Sequence, residues 1–481
     1  MKRKISAILL ISMLASLAAC GDNAENPVET TPGSESESTS AAEYDFGNHD
    51  FGGDEFNILN GSNTWSMYSS MDFEEQTGEP LDDAIYNRNR QLEDLYKFRL
   101  VVTEKQQDTD LLPEIRKFIS AGEDIYDVVY LGSNLAGAVV SEGYYLDLNK
   151  VNGFNFDKEY WDQSVISEGT IGKNNALYFA SSPAQLMNCE GAWIMYFNER
   201  MLKGLGLDTP YQLVRDGKWT LDELGKYMKA GADLNGDESF SFNVDGKAIY
   251  GLTSSFAFPS GCITAAGISY ISKDKDRNPY FSLESDRFYT LADKLASMFA
   301  KEGEYDSRNN AGKDHYEEIF KAGRALFLGA ELKAAGKLRD FNDSFGIVPI
   351  PKLEADQDGY HVLMSLATLM MSIPVTNNEP EKAAVIMDAL SYLSYKDVLP
   401  QYYDVRVAQK SLRNDDSIEM LNLIRASLRF DIGDPYGWTA DLKNQIRRKI
   451  DAGDSGVASI IAAAKPGIEE SIKASLEKFS D

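Results

Sequence analysis

Tyr126–Asn134 reads YDVVYLGSN, and this stretch decides the fold class. Tyr126–Leu131 is apolar apart from Asp127, as a buried parallel strand would be, and Gly132, Ser133 and Asn134 break it with small and polar residues. The same alternation of strand and helix extends both ways. Upstream, EFNIL (Glu55–Leu59) reads as a strand followed by the polar turn NGSNTW. Asp82–Phe98 places Ile85, Leu92, Leu95 and Tyr96 at near-helical spacing, RLVVTE is a strand, and Leu111–Ser120 is a short helix stopped by Ala121 and Gly122. Downstream, Ala192–Asn198 is another strand, and Thr220 with Glu223 forms a capping box that starts a helix. Trp219, just ahead of that cap, reads as a staple residue rather than a ligand contact. Asp286–Ala300 and Asp314–Gly329 read as helices, the second running into a strand. Phe345–Lys352 and Thr368–Pro374 are strands, and Glu379–Tyr395 is an amphipathic helix. The chain is therefore α/β, without internal repeats or a heptad run.

The N-terminus bears on the compartment. Lys2, Arg3 and Lys4 precede an apolar run from Ile5 to Ala19, which is a secretory signal in order and length and too short to span a membrane. It ends in LAAC, Leu17–Cys20, which resembles the lipobox of bacterial lipoproteins. That resemblance implies acylation of Cys20, as by palmitate, after removal of residues 1–19, and an anchor of several acyl chains on the outer face of the cell membrane. Residues 20–43 follow as a tether rich in Ser, Thr, Glu, Asn and Pro, too polar to repay the entropy of ordering.

The net charge is −27, and taking away Lys2, Arg3 and Lys4 with the signal leaves −30. A body this acidic is no partner for nucleic acid or anionic membrane surfaces. No second apolar run is long enough for a transmembrane helix. Cys189 and Cys262 read as two buried thiols rather than a disulfide, and no C-x-x-C suggests a redox or zinc site.

An ordered series of segments resembles the family-1 extracellular solute-binding proteins of ABC importers, the group that contains maltose-binding protein. The series is Thr77–Asp94, Ile119–Val151, Ser167–Ser182, Trp193–Pro210, Lys218–Lys229, Ile319–Glu331, Phe345–Pro351 and Met370–Ser394. No single motif is specific, but the order is. The resemblance implies a two-lobed periplasmic-binding-protein-like fold of type II, with discontinuous lobes joined by a hinge. Lobe one is expected at 44–185 plus 371–415 and lobe two at 186–370 plus 416–481. It also implies a monomer that takes a small solute, above all an oligosaccharide, into the cleft and delivers it to the transmembrane subunits of an ABC importer.

Sugars present flat C–H faces and rings of hydroxyls, so a site needs aromatic platforms and planar polar groups. Candidates lie at strand ends. Asn60, Ser62 and Trp65 follow the first strand. Ser133 and Asn134 follow the central one, where Leu131 and Gly132 stand in place of the family's aromatic. Ser182 and Asn188 flank the first crossing between lobes, and Trp193 begins the next strand. Glu331 falls where maltose-binding protein has a stacking Trp; it reads equally as an acceptor for sugar hydroxyls and as a carboxylate favoured at a helix start. Tyr436 and Trp438 stand in the Gly- and Pro-rich loop DIGDPYGW. Trp161 reads either as a contact or as packing between helix and loop.

Asp233, Asn235, Asp237 and Ser239 alternate as in the first half of a calcium loop, but Glu238 replaces the turn glycine and Val244 the closing carboxylate. A polar solvated loop is the plainer reading, and any calcium there would be structural; no other cofactor is expected. Three His and the absence of G-x-S-x-G, H-E-x-x-H and P-loop motifs argue against an enzyme. The alternatives are a non-transporting surface lipoprotein that adheres to glycans and a carboxylate-pair glycosidase.

Overall fold

The computed structural model describes residues 44–62, 70–106, 110–240, 245–307, 315–338, 341–403 and 415–478. The expected signal, lipobox and tether, and Trp65, lie outside the described residues. From Phe46 onward the chain forms one compact unit. It contains two principal sheets, and each is mixed.

The first sheet has the order β12-β3-β1-β2. β1 (Asp54–Ser62) and β2 (Phe98–Gln106) pair in parallel over their whole length, from Asp54 opposite Phe98 to Ser62 opposite Gln106. Helix α1 (Pro80–Tyr96) connects them. Pro80 starts it, Asp82 and Asp83 favour its positive end, and Leu81, Ile85, Leu92 and Tyr96 form its buried stripe. Lys97 takes the left-handed conformation that ends it, and β2 begins one residue later. After α2 (Leu112–Ser120), β3 (Val128–Gly132) lies beside β1, buried at every position. Helix α3 (Ser133–Ser141) follows without a gap, and α4 (Gln163–Gly169) comes before the chain leaves this sheet. β12 (Leu369–Ser372) returns antiparallel to β3, with Leu369 opposite Gly132.

The second sheet has the order β10-β4-β9-β5-β8, built from β4 (Trp193–Asn198), β5 (Tyr250–Ser254), β8 (Tyr305–Asp306), β9 (Ala325–Glu331) and β10 (Phe345–Pro349). β5 runs parallel to β9 and β8, while β4 runs antiparallel to β9 and puts Trp193 opposite Glu331. Between β5 and β8 a short hairpin of β6 (Ile271–Lys273) and β7 (Pro279–Phe281) projects as a separate ribbon. β11 (Val362–Leu363) and β13 (Leu428–Arg429) form a third, two-stranded pair. Thr220 caps the helix Leu221–Gly231 by accepting the Glu223 amide, while the Glu223 carboxylate pairs with Lys226. Trp219 is fully buried, stacked on Phe327, and donates its indole N–H to the Pro349 carbonyl at 2.9 Å, so it is a core residue. No described helix is long and apolar enough to cross a membrane. Cys189 and Cys262 are free thiols.

β1 extends past the strand expected at Glu55–Leu59, through Asn60, Gly61 and Ser62. The polar turn anticipated there is ladder, because Asn60 finds a buried partner: its Oδ1 accepts from Gln185 Nε2 at 2.9 Å. A polar side chain inside a strand is tolerable once its hydrogen bond is made.

Asp127 introduces β3 and accepts the Asn57 amide at 2.7 Å. Burial pushes its carboxyl up from 3.8 to about 6, although the amide bond works the other way. The folded state therefore holds the proton more tightly than the unfolded chain does. The associated stability is present below about pH 4 and is lost as pH rises through about 6. Asp127→Asn keeps an acceptor for Asn57 and removes the titration. Thermal unfolding should show the variant gaining on the natural chain by about 2 kcal/mol between pH 4 and 7.5; a gap that does not move with pH would contradict this.

Candidate functional site

In open α/β sheets the carboxyl ends of parallel strands are where side chains, helix N-termini and loops converge without blocking the ladder. In this chain the end of β3 and the end of β9 approach one turn. Thr368 O accepts the Ser133 amide at 2.8 Å, and Leu366 O accepts the Ser133 hydroxyl at 3.1 Å, which pins the end of β3 to the turn before β12. Ser365 of the same turn donates its amide to Gly191 O at 2.9 Å, and Met364 bridges Ala192. Ala192 O in turn accepts the Leu332 amide at 2.8 Å, just past the end of β9. Residues 364–368 thus join the end of β3 in one sheet to the start of β4 and the end of β9 in the other.

Ser133, Trp193 and Glu331 are brought to this junction. Ser133 is buried and starts α3, so its hydroxyl serves the junction itself. Asn134, one residue on, is exposed on the first turn of α3. Trp193 is only 5% exposed and packs against the helix Phe258–Ala265 at Gly261, so its ring is part of the wall. Glu331 is half-buried at the end of β9.

The loop carrying Tyr436 and Trp438 joins the site through α3. Gly137 donates its amide to Pro435 O at 2.7 Å, and a Cβ at Gly137 would lie 2.3 Å from that oxygen and from Tyr436 Cα. Only glycine permits this approach. The Tyr436 and Trp438 rings stack at 4.5 Å and 10°, and Trp438 donates its indole N–H to Ser475 Oγ at 3.1 Å. Tyr436 also stands 6.1 Å from the Phe179 ring. The loop is clamped from below by Lys443, which bonds to Asp434 and lies 3.4 Å from Asp431. Burial lowers the Lys443 pKa, but the two carboxylates outweigh it and hold the ammonium above the usual lysine value.

The other candidates lie elsewhere. Asn60 is completely buried inside β1 and is a core residue. Ser62, at the strand's last position, donates its hydroxyl to Lys105 O at 3.2 Å. Asn188 is spent on structure: it donates to Ser181 Oγ and Leu369 O and accepts the Leu369 amide, which fastens the first crossing to β12. Ser182 is buried, within 2.8 Å of Ser391 Oγ. Ser182 and Asn188 both border a cavity of about 710 Å³, together with Tyr160, Trp161, Tyr395, Tyr403 and Arg425. Ser133, Trp193, Glu331, Tyr436 and Trp438 do not line it. Trp161 is a packing residue. Its indole N–H and the Tyr160 hydroxyl both donate to Asp388, a buried carboxylate that also accepts two bonds from Asn155.

Asp233, Asn235 and Asp237 form a loop that closes on its own backbone. Asp233 accepts the Asn235 amide, and Asp237 accepts the amides of Lys247 and Ala248, which hold its carboxyl below the usual range. Ser239 is exposed beside them, and residues 241–244 lie outside the described residues. Among the described residues no cluster of three or more His, Cys, Asp or Glu is placed to hold a metal.

The segment 364–368, Gly137 and Lys443 escaped the sequence reading. A glycine inside the helical run NLAGAVVS was the one available signal, since it costs helix stability unless something packs against it. Gly137→Val should push the Tyr436–Trp438 loop off α3. A melting-temperature loss equivalent to about 1–3 kcal/mol, with altered tryptophan fluorescence, is the expected outcome; unchanged fluorescence would place the loop elsewhere.

No protein-family model matches the sequence, and no curated protein does. Solved structures do match in fold. An ABC substrate-binding protein from Listeria monocytogenes, solved with cycloalternan, superposes with a TM-score of 0.57 at 12% identity, covering 88% of this chain and 99% of that one. The cyclic α-maltosyl-1,6-maltose binding protein of Arthrobacter globiformis gives 0.58 at 13% identity, over 88% and 100% of the two chains. A solute-binding protein of an ABC transporter from Thermotoga lettingae, bound with α-D-tagatose, gives 0.53 at 15% identity, over 87% and 100%. Over nearly the whole described body, this chain has the two-sheet α/β fold of the ABC transporter solute-binding proteins.

Proposed function

We propose that this protein captures an oligosaccharide outside the cell and delivers it to an ABC importer, without chemical turnover. The observation that carries this reading is the junction. The end of β3 in one sheet and the start of β4 in the other are bonded to one segment, 364–368, and a stacked aromatic pair, Tyr436 and Trp438, is held beside it through α3. The half-buried Tyr436 ring, backed by the buried Trp438, suits the C–H face of a sugar ring, and Asn134 and Glu331 bring planar polar groups suited to hydroxyls. The fold neighbours solved with cycloalternan and tagatose support a carbohydrate. A solute bridging the two sheets would stabilise their approach, and that closed form would dock on the importer's transmembrane subunits. The lipobox-like Leu17–Cys20 supports an acyl anchor at Cys20 and a place on the extracellular face of the membrane.

The cavity beside the first crossing is a second place for a solute, because its size and its aromatic walls fit one. Two substitutions separate the sites. With the body protein screened by thermal shift against a glycan library, a saturating oligosaccharide should add roughly 2.7 kcal/mol at 100 times its dissociation constant. Calorimetry should then show Trp438→Ala losing about tenfold or more in affinity while Tyr403→Ala stays near the natural value. The reverse pattern would move the solute to the cavity, a peptide-only response would overturn the sugar, and product formation would make the protein a glycosidase. For the anchor, Cys20→Ser should shift the protein from the membrane fraction to the medium; retention on the membrane would refute lipidation at that residue.

A further inference from the structure

Helix α4 is closed at both ends by side chains, and its carboxyl end draws on a distant one besides the Thr170 hydroxyl, which donates to Ile166 O at 2.7 Å. Asp162 caps the start by accepting the amides of Ser164 and Val165. The carboxyl end is capped from outside, by Lys273 of the β6–β7 hairpin. Its ammonium donates to the carbonyl of Ser167, to Glu168 O at 3.2 Å and to Thr170 O at 3.4 Å, with the Glu168 carboxylate at 3.4 Å. Lysine suits this position, since three rotatable donors meet three carbonyls and its charge opposes the negative end of the helix. The hairpin tip adds two contacts just beyond. The Gly172 amide donates to Arg277 O at 3.0 Å, and the Lys173 ammonium lies 3.5 Å from Asp276.

These contacts join parts that belong to different sheets. α4 leads into Ala180, which pairs with Met371 of β12 in the first sheet. The hairpin follows the helix Phe258–Ala265, whose Phe258 ring lies over Gly329 of β9 in the second. The root of the hairpin is tied to the aromatic loop. Tyr270 donates its amide to Asp431, the Lys443 ammonium stands 4.6 Å from the Tyr270 ring, and a Cβ at Gly433 would lie 2.7 Å from Ile271. One ribbon therefore reaches from the loop that carries Tyr436 and Trp438 to the far side of the site.

We propose that the β6–β7 hairpin is a closure latch, which grips the carboxyl end of α4 through Lys273 when the two sheets come together and couples that grip to the Tyr436–Trp438 loop. This rests on the solute-capture reading and adds its regulation. The grip is releasable by its chemistry. Every contact is polar, Lys273 keeps 13% of its side-chain exposure, and Glu168 and Lys173 face solvent. When the hairpin lets go, the ammonium and the carbonyls regain water, so release strands none of these groups.

The test uses Lys273→Met, which keeps the length and removes the charge, with Lys273→Arg as the conservative control. Stopped-flow with the best glycan from the library should show Lys273→Met releasing it about tenfold or more faster, with association unchanged and Lys273→Arg close to the natural rate. Hydrogen exchange should speed up at the Gly172 amide and not in the strands. Equal release rates and an equally protected Gly172 amide would overturn the latch. If the natural protein bound no glycan, the solute reading would fall, and the Gly172 exchange comparison alone would decide the latch: faster exchange in Lys273→Met supports it, and no change overturns it.

Discussion

The fold turns on how five residues, 364–368, satisfy their backbone. A chain that leaves one sheet and enters another crosses a region where neither ladder supplies partners, and buried amides and carbonyls left unpaired there are costly. Here the deficit is met by pairing across the sheets. Thr368 and Leu366 take both donors of Ser133, Ser365 gives its amide to Gly191, and Asn188 closes the Leu369 amide and carbonyl together. Meeting these requirements brings the end of β3 to the start of β4. The site is in this sense a by-product of polar satisfaction at the crossing.

The same economy gives several polar residues at the centre a structural role. Asn60, Ser133, Ser182 and Asn188 are all small or planar polar groups near strand ends, which is how a sugar site reads in sequence. Each is instead spent on holding one segment to another. The tryptophans follow the same rule, since the indole N–H groups of Trp161, Trp219 and Trp438 each have a buried acceptor. Asn134, Glu331 and Tyr436 are half-buried or exposed, and the buried Trp438 stacks on the last of them.

Electrostatics supports the same division. The body is strongly acidic, yet the cations that matter structurally are placed singly against clusters of oxygen. Lys443 sits between Asp431 and Asp434, and Lys273 sits on the end of α4. Both ammonium groups are largely withdrawn from solvent, but the second has exposed neighbours in Glu168 and Lys173. Connected through Tyr270, they link a rigid support to a releasable contact.

The sequence by itself determined the local grammar. Alternating strands and helices, the helix start at Thr220 and the buried run at β3 all follow from periodicity and short-range hydrogen bonding, which act within a few residues. It also determined the acidity of the chain, and the ordered series of segments pointed to the two-sheet fold. The tertiary structure alone decided that β1 runs on through Asn60, because Gln185 lies 125 positions away in the chain. It alone decided that Gly137 faces Pro435 and that Lys273 caps α4. Such choices depend on which distant group arrives to satisfy a donor or fill a gap, and no local pattern encodes that arrival.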